Sequence, residues 1–212
     1  MRLEFNPTRI TAVVLILLAC TTIIQAQKEP PARDPLRMVD FQNVDLVPIV
    51  RALAEDEQVP IGFEADPKKP RSPITIHLTN VRTREILDGL VRVEPAYQWR
   101  DGGDFIEVFP VRGRSVFLDA PVSAFDLKDV GRNQAIDQLL SRPEVEAIMN
   151  SMNLRRQPAP GGVRDEASRF SLHLEATSLR QALNQIAKAS GTNFWVFRTY
   201  TDGSFTVSLT TN

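Results

Sequence analysis

The sequence predicts an α+β protein made of two repeated small units of the β-α-β/β-α-β-β type, with mixed sheets and helices packed on one face. Three observations predict it. One stretch of the chain recurs at a fixed offset. Strand-type and helix-type apolar spacings follow one another in the same order in both copies. Turn-forming residues fall between these runs.

The recurrence comes first, because a repeat sets the architecture. Ile74-Thr75-Ile76-His77-Leu78 is followed by Arg84, Leu87 and Trp99, and Phe170-Ser171-Leu172-His173-Leu174 by Arg180, Leu183 and Trp195. From 77 to 173, 78 to 174, 84 to 180, 87 to 183 and 99 to 195 the offset is 96 throughout. Past the tryptophans the second copy is longer, and Gly103-Asp104-Phe105 returns as Gly203-Ser204-Phe205 at an offset of 100.

The first copy opens with a strand at Val39-Asp40-Phe41. A helix from about Asp45 places Leu46, Ile49, Val50 and Leu53 on one face, and Pro48 is tolerated in its first turn. Val59-Pro60-Ile61-Gly62-Phe63 reads as a strand, and Glu64 to Pro73 as a loop. Ile74 to Leu78 alternates with period two, which turns His77 and Thr75 away from the apolar face. The next helix has Thr83 as its expected cap, a stripe of Ile86, Leu87, Leu90 and Val91, and Pro95 as its stop. Tyr97 to Arg100 and Phe105 to Phe109 then form a hairpin about Asp101-Gly102-Gly103.

The second copy starts at Ala124-Phe125-Asp126-Leu127. Its helical region is longer, with Ile136, Leu139 and Leu140, then Pro143, then Val145, Ile148, Met149 and Met152 as core positions. Residues 155–168, rich in Pro, Gly and mixed charge, read as a mobile loop. After Phe170 to Leu174, Ser178 and Gln181 form a capping-box pattern. Leu179, Ala182, Leu183, Ile186 and Ala187 form the stripe, and Gly191 suits the end. A last hairpin joins Asn193 to Thr199 with Phe205 to Leu209 through Asp202-Gly203. Burying each large apolar side chain contributes about 1.5–3 kcal/mol, so these stripes read as core.

The N-terminus has the order of an export signal. Arg2 and Arg9 precede an apolar run from Ile10 to Ala19, shorter than the ~20 residues that a spanning helix needs. Two processing routes are open. Ile24-Gln25-Ala26 suits general cleavage, giving a signal over 1–26. Leu17-Leu18-Ala19-Cys20 resembles a lipobox, giving a signal over 1–19 with Cys20 as the lipidation site. Residues 27–37 follow as a proline-broken linker, then units over 38–112 and 113–212. Cys20 is the single cysteine, so no intramolecular disulfide is available. The 25 basic and 26 acidic residues balance to a net charge of −1, which gives no electrostatic reason to expect nucleic acid.

The first unit resembles the secretin and TonB N-terminal short domain. The residues that carry this are Val39-Asp40-Phe41, the helix ending Arg51-Ala52-Leu53-Ala54-Glu55, Ile61-Gly62-Phe63, Ile74 to Leu78, and the helix with Ile86-Leu87-Asp88-Gly89-Leu90. The resemblance covers about Met38 to Pro110, and the latter half of the second unit. It implies a periplasmic module that meets another protein: a secretin, a pilus or inner-membrane platform, a TonB-system component, or a neighbouring copy. The sequence departs from the family in that no long barrel-forming region follows before Asn212. The expectation is therefore an exported, non-enzymatic interaction or assembly module, with membrane contact only through a lipid on Cys20.

The alternative is a peptidoglycan- or glycan-binding module using Trp99 and Trp195 as surface contacts. No cofactor or metal is expected. A zinc site joining His77 and His173 would lack further ligands of the usual kind. No nucleophile elbow, P-loop, Rossmann fingerprint or H-E-x-x-H motif occurs, and Asp101 with Asp104 reads as turn chemistry rather than as a catalytic pair.

Overall fold

A computed structural model of the chain describes residues 36–56, 59–68, 73–157 and 169–209. The export-signal reading, Cys20, and the loop reading over 158–168 lie outside the described residues.

Alternation builds the first element. Strand β1 (Arg37–Val44) turns Val39, Phe41 and Val44 inward and Met38, Asp40 and Gln42 outward. It pairs antiparallel with β3 (Ile74–Val81), which turns Ile74 and Ile76 inward, and Asp40 stands opposite His77. Between them come helix α1 (Leu46–Asp56) and strand β2 (Ile61–Ala65). Helix α2 (Thr83–Val93) and the hairpin of β4 (Tyr97–Asp101) and β5 (Ile106–Pro110) complete this half.

A 3₁₀ turn (Val116–Asp119) and β6 (Pro121–Val122) lead into the second half. The chain then runs through β7 (Phe125–Val130), α3 (Arg132–Leu140), α4 (Pro143–Ser151), β8 (Arg155–Arg156), β9 (Phe170–Leu174), β10 (Thr177–Ser178), α5 (Leu179–Ala189), β11 (Phe194–Thr199) and β12 (Ser204–Leu209), with α4 and β10 having no counterpart in the first half. Strands β7 and β9 form a ribbon like that of β1 and β3, with Asp126 opposite His173. Asn43 and Asp129, both at positive φ, interrupt the two ribbons, and their backbone N–H groups donate to Thr75 and Ser171.

The two hairpins share one mixed sheet of six strands, ordered β4-β5-β2-β11-β12-β8. The halves join where β2 lies parallel to β11, with Phe194 beside Ile61, Trp195 beside Gly62 and Phe197 beside Glu64. Alternation then divides the sheet into two faces. Ile61, Phe63, Ile106, Val108, Phe194 and Val196 pack with α1 and α2 in one core. Trp195, Phe197, Phe205, Val207 and Leu209 pack with α3 and α5 in the other. Each half thus keeps its helices on one face of its own hairpin, and the two halves use opposite faces of the common sheet. The fold is mixed α/β, with helices and strands both prominent.

Several local expectations are corrected. Strand β2 begins at Ile61 and continues through Glu64 and Ala65, because parallel pairing with β11 carries it past Phe63. Arg82, not Thr83, caps α2: its backbone N–H donates to the Glu85 carboxylate at 2.7 Å, and Thr83 is buried as the first helical residue. Ser178 Oγ does accept the Gln181 N–H, but the Gln181 side chain accepts from Thr177 instead of closing the box. Arg155 and Arg156 leave the expected loop to pair with Ser204 and Phe205. Met152 is 38% exposed just beyond α4 and stands outside the core.

Candidate functional site

The joint between the halves concentrates the buried polar chemistry. Glu64 on β2 and Glu107 on β5 lie on the sheet face that the first half's helices leave uncovered, and both are almost fully buried. Arg180, also buried, reaches them from α5. Its Nη1 donates to Glu64, and its Nε lies 3.4 Å from Glu107 and 3.2 Å from Asp119. The connecting segment closes the cluster: the Ser115 N–H donates to Glu64 Oε2 at 2.9 Å, and Arg114 lies 3.6 Å from both Glu107 and Asp119. Arg100 on β4 donates to the other Glu107 oxygen at 2.6 Å. Glu107 Oε1 and Arg114 Nε have no hydrogen bond among the described residues and are held at ion-pair distance only.

Burial pushes the Glu64 carboxyl above the usual range, and Arg180, the Ser115 N–H and Arg114 pull it part of the way back. Three carboxylates facing three guanidiniums make a neutral knot. A catalytic base must reach a substrate proton, and Glu64 and Glu107 are sealed from any substrate. The knot's chemistry is to fix the connecting segment and α5 against β2 and β5. Sequence reasoning missed it. The sequence reads Glu64 as the start of a loop and Glu107 as part of the Phe105 to Phe109 strand, and the available signal is a Glu inside each of two otherwise apolar strand runs.

The tryptophans divide. Trp195 is fully buried, its ring lying against Gly62, where an added Cβ would meet ring atoms at 2.3 Å. Its Nε1 donates to Asn184 Oδ1 at 2.6 Å. Trp99 is partly buried against the first core, and its Nε1 donates to Asp88 at 2.9 Å. Trp195 is therefore no surface contact for a glycan, which corrects that part of the alternative reading.

The histidines lie on the two ribbons, both exposed. His173 Nδ1 is 2.8 Å from Asp126, and Glu175 lies 3.4 Å from Nε2. His77 is 3.8 Å from Asp40. The Asp126 bond foremost, with Glu175, raises the His173 pKa, and the same bond lowers that of Asp126. No group of three or more His, Cys, Asp or Glu is placed to hold a metal among the described residues. Asp101 accepts from Arg84 Nε at 2.9 Å and from the Gly103 N–H at 2.8 Å, which is turn chemistry. Asp104 lines a separate cavity against α5.

The sheet ends at β4 on one side, and among the described residues β4 has no neighbour beyond β5. The residues that make β11 a joining strand, Phe194 and Val196, correspond at the offset of 96 to Gln98 and Arg100 on β4. An edge of this kind accepts a backbone partner while its charge discourages indiscriminate pairing.

No protein-family model, curated protein or solved structure matches the chain.

Proposed function

We propose that this chain is an exported, non-enzymatic protein–protein interaction module of a bacterial cell envelope, acting with a secretin, pilus or TonB-type outer-membrane system. The observation that carries the reading is the joint itself. Two α/β halves of like element order associate edge to edge through β2 and β11, with α5 of one half packed over a strand of the other. Exposed strand edges accept backbone partners, and loops on a rigid sheet often carry binding. Among the described residues, the polar β4 edge and the two ribbons are surfaces open to a partner. The order of charge and apolar residues before Cys20 supports export.

Crosslinking in living cells, followed by affinity purification and mass spectrometry, tests the reading. Enrichment of a secretin, platform or TonB-system protein is the expected result. Recovery of no envelope protein in repeated experiments would overturn it.

A further inference from the structure

A cavity of about 250 Å³ opens between the turn that joins β4 to β5 and one face of α5. Gln181, Asn184, Gln185 and Lys188 line it from the helix. They stand at i, i+3, i+4 and i+7, so they form one stripe. Asp104 and the half-buried Phe105 ring line the opposite wall, so the two halves build the cavity together. The Phe105 ring packs against Gly102, where an added Cβ would meet ring atoms at 2.6 Å, which pins the ring in place.

Asn184 is the telling residue. It is 5% exposed, and the Trp195 indole N–H holds its Oδ1. That bond fixes the amide, and its Nδ2 is left with no partner among the described residues. A buried donor left unpaired costs about 1–3 kcal/mol. At the corresponding position of the first half Asp88 accepts the same bond from Trp99, and a carboxylate has no second donor to satisfy. Asparagine at 184 thus adds a donor beside a cavity, at a cost that a carboxylate would avoid.

The chemistry of the lining narrows the ligand. Three carboxamides supply both donors and acceptors, and Gln181 keeps its NH₂ free for this because only its Oε1 is engaged, by Thr177. The ring supplies an apolar platform. Lys188 and Asp104 carry opposite charges, so no net charge is demanded of the occupant. The volume is below the roughly 300–1,000 Å³ of sites for drug-sized molecules, which limits the occupant to about one ring. We propose that this cavity binds a single neutral sugar ring, its C–H face on Phe105 and its hydroxyls on Gln181, Gln185 and Lys188, over the buried Asn184 amide that ties the lining to Trp195. The proposal stands apart from protein docking, so either can fail alone.

The two tryptophans make the test direct, because the chain gives two indole N–H signals in a ¹H–¹⁵N spectrum. Titrating the full chain with N-acetylglucosamine, with its linear tetramer and with glycine should move the Trp195 indole signal through Asn184 and leave that of Trp99 in place. Tighter binding of the tetramer supports the proposal and assigns the ring to a glycan. Equal binding of monomer and tetramer supports it and assigns the ring to a free sugar. Gln185→Ala and Lys188→Ala, both off the core, should each weaken binding about tenfold while the Trp99 signal reports an intact fold. A Trp195 signal that stays fixed at tens of millimolar sugar, a response to glycine alone, or undiminished binding by both variants would overturn it.

Discussion

Arg180 is 3% exposed and meets three carboxylates, while Arg84 pairs with Asp101 at the surface. Removing Arg180 leaves buried Glu64 with the Ser115 N–H and the more distant Arg114, while Glu107 keeps Arg100, so Arg180→Met should cost about 3–5 kcal/mol in chemical denaturation, chiefly through Glu64. Arg84→Met should cost about 1 kcal/mol or less, as for exposed pairs. Equal losses would show that burial does not govern these ions. The Arg180 variant should also gain a pH signature. Its Glu64 carboxyl, already raised by burial, rises further without the cation. A raised carboxylate destabilises when ionised, so the variant should become more stable as pH falls through the folded pKa toward the unfolded one. The ribbon histidine has the opposite sense. His173 has a raised folded pKa, so its stabilisation is complete below its unfolded value near 6.5 and is lost as pH rises through the folded value. Asp126, with its lowered pKa, contributes above its unfolded value, and that contribution is lost as pH falls through the folded one. NMR titration should place the His173 pKa higher in the native chain than in Asp126→Asn, and equal values would show the 2.8 Å bond to be absent in solution. Gly62→Ala drives a methyl into the Trp195 ring and should cost about 1–3 kcal/mol by the same denaturation assay.

At the scale of elements, the fixed offset picks out two positions at which the β4 edge is polar and the β11 joining strand apolar. Gln98 and Arg100 stand where β11 has Phe194 and Val196. Exchanging the edge residues in Gln98→Phe/Arg100→Val should turn β4 into an adhesive strand, and light scattering should detect a higher molar mass than that of the native chain. An unchanged molar mass would mean that these side chains do not guard the edge. Much of this layout was legible in the sequence. The alternating strands that make up the ribbons, the stripes of α2 and α5 and both Asp-Gly hairpins follow from periodicity and turn chemistry, which are local signals, whereas the pairing of β1 with β3 and of β7 with β9 does not. What local signals could not carry is the parallel pairing of β2 with β11. No turn connects the two strands, and pairing between distant strands leaves no spacing to read. The buried roles of Glu64, Glu107 and Arg180 depend on that pairing, so they were hidden with it. The asparagine at 184 was visible only as one more polar residue on an amphipathic helix.

For the molecule as a whole, the described residues form one compact unit, and the first core includes Phe194 and Val196 from the second half. A fragment ending at residue 112 would lose those two side chains, the cover over Glu64 and its Arg180 counter-charge together. It should therefore lack a cooperative thermal transition by circular dichroism, whereas the full chain melts as one. A sharp melt from the fragment would show the halves to be independent. The same joint bears on the timing of synthesis. A ribosome releases β2 early, but β11 emerges only when the end of the described chain does. Until then β2 is paired with β5 on one side only and its other edge stays open, the kind of edge that holdase chaperones protect. Contacts between segments so far apart form slowly, so the last hairpin to appear decides when the first half is finished.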